Sequence, residues 1–351
     1  MEIHCNADRS GARPLANLTR KMRAVIPLTA TAVLVSACGG DSGTSSGPPP
    51  PPPPNSWVQK ASLPGGPLAG AVSFVVQGKL YVGTGFRNGF IWSFYEYDPT
   101  TNSWTNAMNF PADQRSNGIA FAIGDYGYVG LGSNFVCGGL CTFNYFKDLW
   151  RYDPRTFSWV RMADFPGTAR GFAASFVIGD KAYVTGGSSA NDYDMWEYDP
   201  ATNSWTRKAD YPGRCAGRST AFSLAGKGYV GLGYSNGACT DFWRYDPSAN
   251  SWTAIATFSG VARWDALGLS VGTTGFVVAG GHDPSTLTDV WTYNPATDAW
   301  LQVATTYPGK GKSQMSGGIV GGRIFLGLGT ISETGGVESR FDDFWEYIPA
   351  P

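Results

Sequence analysis

Residues 195–205 read MWEYDPATNSW, and the pattern returns as FYEYDPTTNSW (94–104), LWRYDPRTFSW (149–159), FWRYDPSANSW (242–252) and VWTYNPATDAW (290–300). The closing tryptophans Trp104, Trp159, Trp205, Trp252 and Trp300 are 55, 46, 47 and 48 residues apart. A period near 50 made of strand-like runs and tight turns belongs to propeller blades, not to helical repeats. Upstream of each copy lie a run of small and apolar residues, such as GFAASFVIG (171–179), and a run ending in glycine, such as AYVTGG (182–187). Each unit therefore reads as four short strands, a to d.

Residue types follow from the wedge shape of a blade. Strand a meets the crowded axis, where Ala173, Ala174 and Ser175 fit, and strands c and d diverge outward, where aromatics fill the gaps. Trp150, Trp196, Trp243, Trp291 and Trp345 are expected core on this ground. In the Tyr-Asp-Pro-x-x-Asn turn between c and d, proline sets φ and the aspartate bonds the turn's own backbone. The strand c aromatic precedes the strand d tryptophan by nine residues, but Trp345 has no such partner before Pro351, while Asn55-Ser56-Trp57 is a strand d with no strands a to c before it. The two fragments complete one blade. The expectation is an all-β, six-bladed propeller over 55–351, its last blade closed by the N-terminal strand.

This organisation resembles the kelch-repeat family, through the arginine before strand a, the Tyr-Val-x-Gly-Gly run ending strand b, and the c-to-d tryptophans. Gly186-Gly187 and Gly280-Gly281 keep the glycine doublet; Gly83/Gly85, Gly130/Gly132, Gly231/Gly233 and Gly327/Gly329 are spaced by one residue. The resemblance, to exported galactose-oxidase-like propellers among others, implies a protein-binding module, a copper-dependent sugar oxidase or a sialic acid mutarotase. Of the two histidines only His282 lies in the propeller, so the paired imidazoles of the oxidase branch are missing. No cofactor and no metal site are expected.

The composition agrees with short strands and turns: aromatics make up 14% and charged residues 15%, with 47 glycines. Formal net charge is −1, and without residues 1–37 the chain keeps 21 basic and 25 acidic residues. Nothing in this balance suits nucleic acid.

The N-terminus reads as an export signal. Residues 20–23 are basic (RKMR), residues 24–37 apolar, and Leu34-Val35-Ser36-Ala37-Cys38 resembles the lipobox of bacterial lipoproteins. At 14 residues the apolar run is too short to span a bilayer. The expected organisation is a leader over 1–37 (an upstream extension over 1–21, a lipoprotein signal peptide over 22–37), then a lipidated Cys38 and a Gly/Ser/Pro tether over 38–54, then the propeller. Seven prolines, Pro48 to Pro54, make a rod of roughly 20 Å in polyproline II geometry. The protein is thus expected in the cell envelope, membrane-anchored, periplasmic or cell-surface.

The d-to-a and b-to-c loops share one face and carry the variable residues, including 86–94, 133–148, 188–194, 234–241, 282–289 and 330–343. Arg115, Arg170, Arg218 and Arg263 precede strand a and are candidates to grip an anionic ligand; the alternative is that they brace neighbouring backbone. Trp92 and Trp264 fall outside the repeat positions on this face, suited to stacking on a ligand or to packing over a loop. His282, beside Asp283, is a weak candidate base. Asp148, Asp194, Asp241, Asp289 and Asp343, two residues before the strand c aromatic, are expected loop braces. Four cysteines remain, and pairing 137 with 141 and 215 with 239 keeps each bridge in one blade. The expected function is a binding module for a protein, peptide or carbohydrate ligand; the alternative is a sugar-acid mutarotase.

Overall fold

The computed structural model describes residues 51–137, 141–188, 192–332 and 338–350. The expected leader, Cys38 and the tether up to Pro50 lie outside the described residues. Among the described residues the structure is all β, with six four-stranded antiparallel sheets and two small hairpins.

Strands a to d are 72–76, 79–83, 94–98 and 103–106 in blade 1, and 119–123, 126–130, 149–153 and 158–161 in blade 2. Blade 3 has 174–178, 181–185, 195–199 and 204–208; blade 4 has 220–224, 227–231, 242–246 and 251–254. Blade 5 has 267–271, 274–282, 285–294 and 299–302. Blade 6 takes strands a to c from 316–320, 323–327 and 344–348, and its strand d is Ser56–Lys60, paired antiparallel with Phe344–Ile348. The a strands pack side by side around the axis, blade 6 against blade 1.

The motif that sets the period also sets the packing. Strand c tyrosine faces strand d tryptophan across the ladder, as in Tyr198↔Trp205 and Tyr245↔Trp252, with ring centroids 4.9 and 5.0 Å apart. At the seam Tyr347 faces Trp57 at 4.7 Å, the same pairing made from opposite ends of the chain. The turn aspartates bond backbone two residues on, as Asp199 Oδ1 does with the amide of Ala201. The turn asparagine accepts twice: Asn203 Oδ1 takes the Tyr198 hydroxyl and the Ala163 amide of the preceding blade. Trp205 Nε1 donates to the carbonyl of the same Ala163. One motif thus shapes its own turn and fastens its blade to the previous one.

Two regions expected to be loops carry strands. Ser133–Cys137 and Cys141–Tyr145 form a projecting hairpin in blade 2, and in blade 5 strands b and c run on to His282 and from Ser285, leaving only Asp283 and Pro284 as the turn.

Candidate functional site on the loop face

Arg115, Arg170 and Arg263 stand four residues before strand a and are at most 1% exposed. Each gives its Nε to a carbonyl two residues back, those of Asp113, Thr168 and Val261, and Nη1 to a carbonyl just past strand b in blades 2 and 3, those of Leu131 and Gly186, and within the longer strand b of blade 5, that of Ala279. Each also holds the strand c aspartate of its own blade: Arg115 with Asp148 at 2.5 Å, Arg170 with Asp194 at 2.8 Å, Arg263 with Asp289 at 2.6 Å. The aspartates take an indole proton as well, from Trp150, Trp196 and Trp291. Burial by itself would raise the carboxyls of Asp194 and Asp289, but hydrogen bonds from arginine and tryptophan overcome it and leave both below their ordinary value. Of the two expected roles, ligand contact or brace, the contacts of these three arginines are those of a brace. Their donors are consumed in tying the d-to-a loop to the b-to-c loop.

Blade 6 makes the brace with Lys312, whose Nζ meets Asp343 and the Tyr307 hydroxyl. Blade 4 has Ala216 at this position, and a disulfide between Cys215 and Cys239 makes the same loop-to-loop link, with Cα atoms 6.1 Å apart. Asp241 keeps the indole of Trp243 and the amide of Arg214, while its Oδ1 is shielded and unpartnered. Cys141 is also disulfide-bonded, and Cys137 stands opposite it in the hairpin register; the Cys137 side chain lies outside the described residues.

Arg218 is a different kind of residue, because it stands two residues before strand a, not four. Six such positions line the axis: Gly70, Asn117, Phe172, Arg218, Asp265 and Gln314, all with φ between 50° and 60°. Their backbones form a chain in which each amide from Asn117 to Gln314 donates to the carbonyl of the preceding member. The left-handed conformation costs each side-chain-bearing member about 1 kcal/mol, offset by these bonds. Arg218 lies over the Phe172 ring at 4.0 Å, donates to Asp265 at 2.6 Å, and keeps 36% of its side chain exposed. Burial pushes the Asp265 carboxyl up, opposed by Arg218 and Gln314. This places one partly free guanidinium and one buried carboxyl at the axial mouth.

Trp264 packs edge-on against Tyr234 at 5.2 Å, and His282 lies on the same side, its Nδ1 3.0 Å from the Ala262 carbonyl. Trp92 is 48% exposed and shares a cleft between blades 1 and 2 with Phe110, Tyr145 and Lys147. Sequence reasoning missed Phe143 and Tyr145, which with Phe135 form the aromatic side of the projecting hairpin; Phe143 is 49% exposed. Their alternation across FNY was the available signal. Among the described residues no group of three His, Cys, Asp or Glu is placed to hold a metal ion.

Residues 132–264 match the family model described as "KLHDC2/KLHL20/DRC7 Kelch-repeats domain". A solved structure titled "Structure of YjhT" is similar over 81% of this chain and 96% of that chain, with a TM-score of 0.67 and 17% identity. At that identity the likeness is one of fold. No curated protein matches the chain. The molecule is a six-bladed β-propeller, and residues 132–264 of it are similar to a Kelch-repeats domain.

Proposed function

We propose that this propeller is a membrane-tethered, extracytoplasmic binding module that takes a protein, peptide or carbohydrate ligand on its loop face. The observation that carries the reading is the exposure of Trp92, Phe143 and Tyr145 on that face, beside repeat-position tryptophans that pack, buried or partly buried, against the core. Large aromatics left in water on a rigid scaffold supply contact area with little ordering cost, which makes them interface anchors. Screening the full chain against a glycan array and a peptide library tests the ligand class. For the strongest hit, Trp92→Ala and Tyr145→Ala should each weaken binding by about 1–3 kcal/mol; unchanged affinity in both variants would sink the loop-face reading. The anchor is a separate matter: Cys38→Ala should release the protein from the membrane fraction, and continued lipid labelling of that variant would refute lipidation.

A second reading, a sugar-acid mutarotase, draws support from the axial pair of Arg218 and Asp265. A guanidinium suited to a carboxylate beside a buried carboxyl supplies the two groups that proton transfer at a sugar ring calls for. Magnetisation exchange between sialic acid anomers, measured by NMR with and without protein, decides it; no acceleration would dismiss the enzyme.

A further inference from the structure

We propose that Arg87 and Arg340, on the b-to-c loops of blades 1 and 6, form a receptor for one oxyanion, a carboxylate or phosphate group. The inference rests on the loop face being the ligand face, and it names the anionic contact there. Arg340 Nη1 donates to the Arg87 carbonyl at 2.9 Å, so the two residues meet where the last blade joins the first. Arg87 is anchored through Nη1 to the Gly65 carbonyl. Its Nε and Nη2, and Nε of Arg340, are shielded from solvent and have no hydrogen-bond partner; these are three of the four arginine nitrogens so left among the described residues. The contrast with Arg115, Arg170 and Arg263 is sharp, for each of their guanidinium nitrogens has a partner.

Charge points the same way. Arg340 is paired with Glu338, itself 46% exposed, whereas Arg87 makes no ion pair among the described residues, so one of the two guanidiniums is without a carboxylate. A guanidinium does not shed its proton in water, so unpaired shielded N–H groups remain a standing cost until an acceptor arrives. The geometry is held on both sides. Arg340 lies over the Phe86 ring at 4.5 Å, and Phe86 packs against Phe90 and Phe135. On the Arg87 side, Gly65 has φ 82° and a Cβ there would lie 2.5 Å from Nη1, so a larger residue would push the Arg87 tip from its place.

The test is a titration of the full-length protein with inorganic phosphate and, separately, N-acetylneuraminate, read from the arginine Nε–H resonances by NMR. Saturable shifts at Arg87 and Arg340 are expected with at least one probe; phosphate alone would assign a phosphoryl group, N-acetylneuraminate alone a carboxylate. Arg87→Gln and Arg340→Gln should each weaken the response at least about tenfold, and Arg87→Lys, which keeps charge without the N–H fork, should do likewise. Gly65→Ala should copy Arg87→Gln with the fold intact by circular dichroism. Resonances unmoved by both probes, or equal affinity in the Gln variants, would overturn the proposal. Loss of it with Trp92-dependent binding retained would leave the loop-face reading standing, and the reverse would remove that reading alone.

Discussion

Phe157 occupies the turn position held by Asn102, Asn203, Asn250 and Asp298 in other blades and by Asn55 at the seam. In those blades the side-chain oxygen accepts the strand c tyrosine hydroxyl; in blade 2 the Tyr152 hydroxyl is buried with no partner. Phe157 also has φ 50°, which asparagine tolerates better. Phe157→Asn should therefore stabilise the protein by about 1 kcal/mol, seen as a higher melting temperature in calorimetry. Arg170→Ala should do the opposite by about 3 kcal/mol, since it strands a carboxylate in a half-dry site. The braces also set a pH dependence. Asp194, Asp289 and Asp343 titrate below their unfolded value, so their contribution is full above about pH 4 and is lost as pH falls through the folded values. Asp265 is raised, so its contribution is present in acid and fades as pH rises above the unfolded value; Asp265→Asn should remove that component from melting curves taken between pH 4 and 7.

At the scale of the element, blade 4 has exchanged an ionic link for a covalent one. The Cys215–Cys239 bridge spans 24 residues, so opening it should cost roughly 3 kcal/mol. Reduction should raise amide exchange first in residues 212–219 and 237–241, with the other blades unaffected; uniform loosening would show that the bridge is not local. Asp241 Oδ1 remains unpartnered in that blade. Adding Ala216→Arg to a Cys215→Ala/Cys239→Ala variant should therefore recover part of the lost stability by rebuilding the brace. Much of this was legible in the sequence, because strand c, its turn and strand d repeat at fixed spacing. The brace was present there only in halves: recurrent arginines and recurrent aspartates some 24–33 residues apart, joined only by the folded loops. Arg218 could have been set apart, since it follows Trp205 by 13 residues where Arg115, Arg170 and Arg263 follow their tryptophans by 11. Arg87 and Arg340 sit in loops of unequal length, where no repeat register exists to single them out.

For the whole molecule, the ring depends on Ser56–Lys60 completing blade 6. Without it, the edge of Phe344–Ile348 and the Tyr347 ring lose their cover. Deleting residues 51–60 should abolish the cooperative melting transition and drive self-association in size-exclusion chromatography, while deleting residues 39–47, ahead of the proline run, should leave the transition where it is.

The seam also imposes an order in time. Lys60 and its partner Glu346 are 286 positions apart, so among the described residues the first strand to leave the ribosome waits for the strand 344–348. At synthesis rates of about 5–20 residues per second, that wait is on the order of 15–60 seconds. Blades 1 to 5 have all their strands before then, and the circle shuts only at the end, which makes any chain cut short before residue 344 a row of blades with an open end.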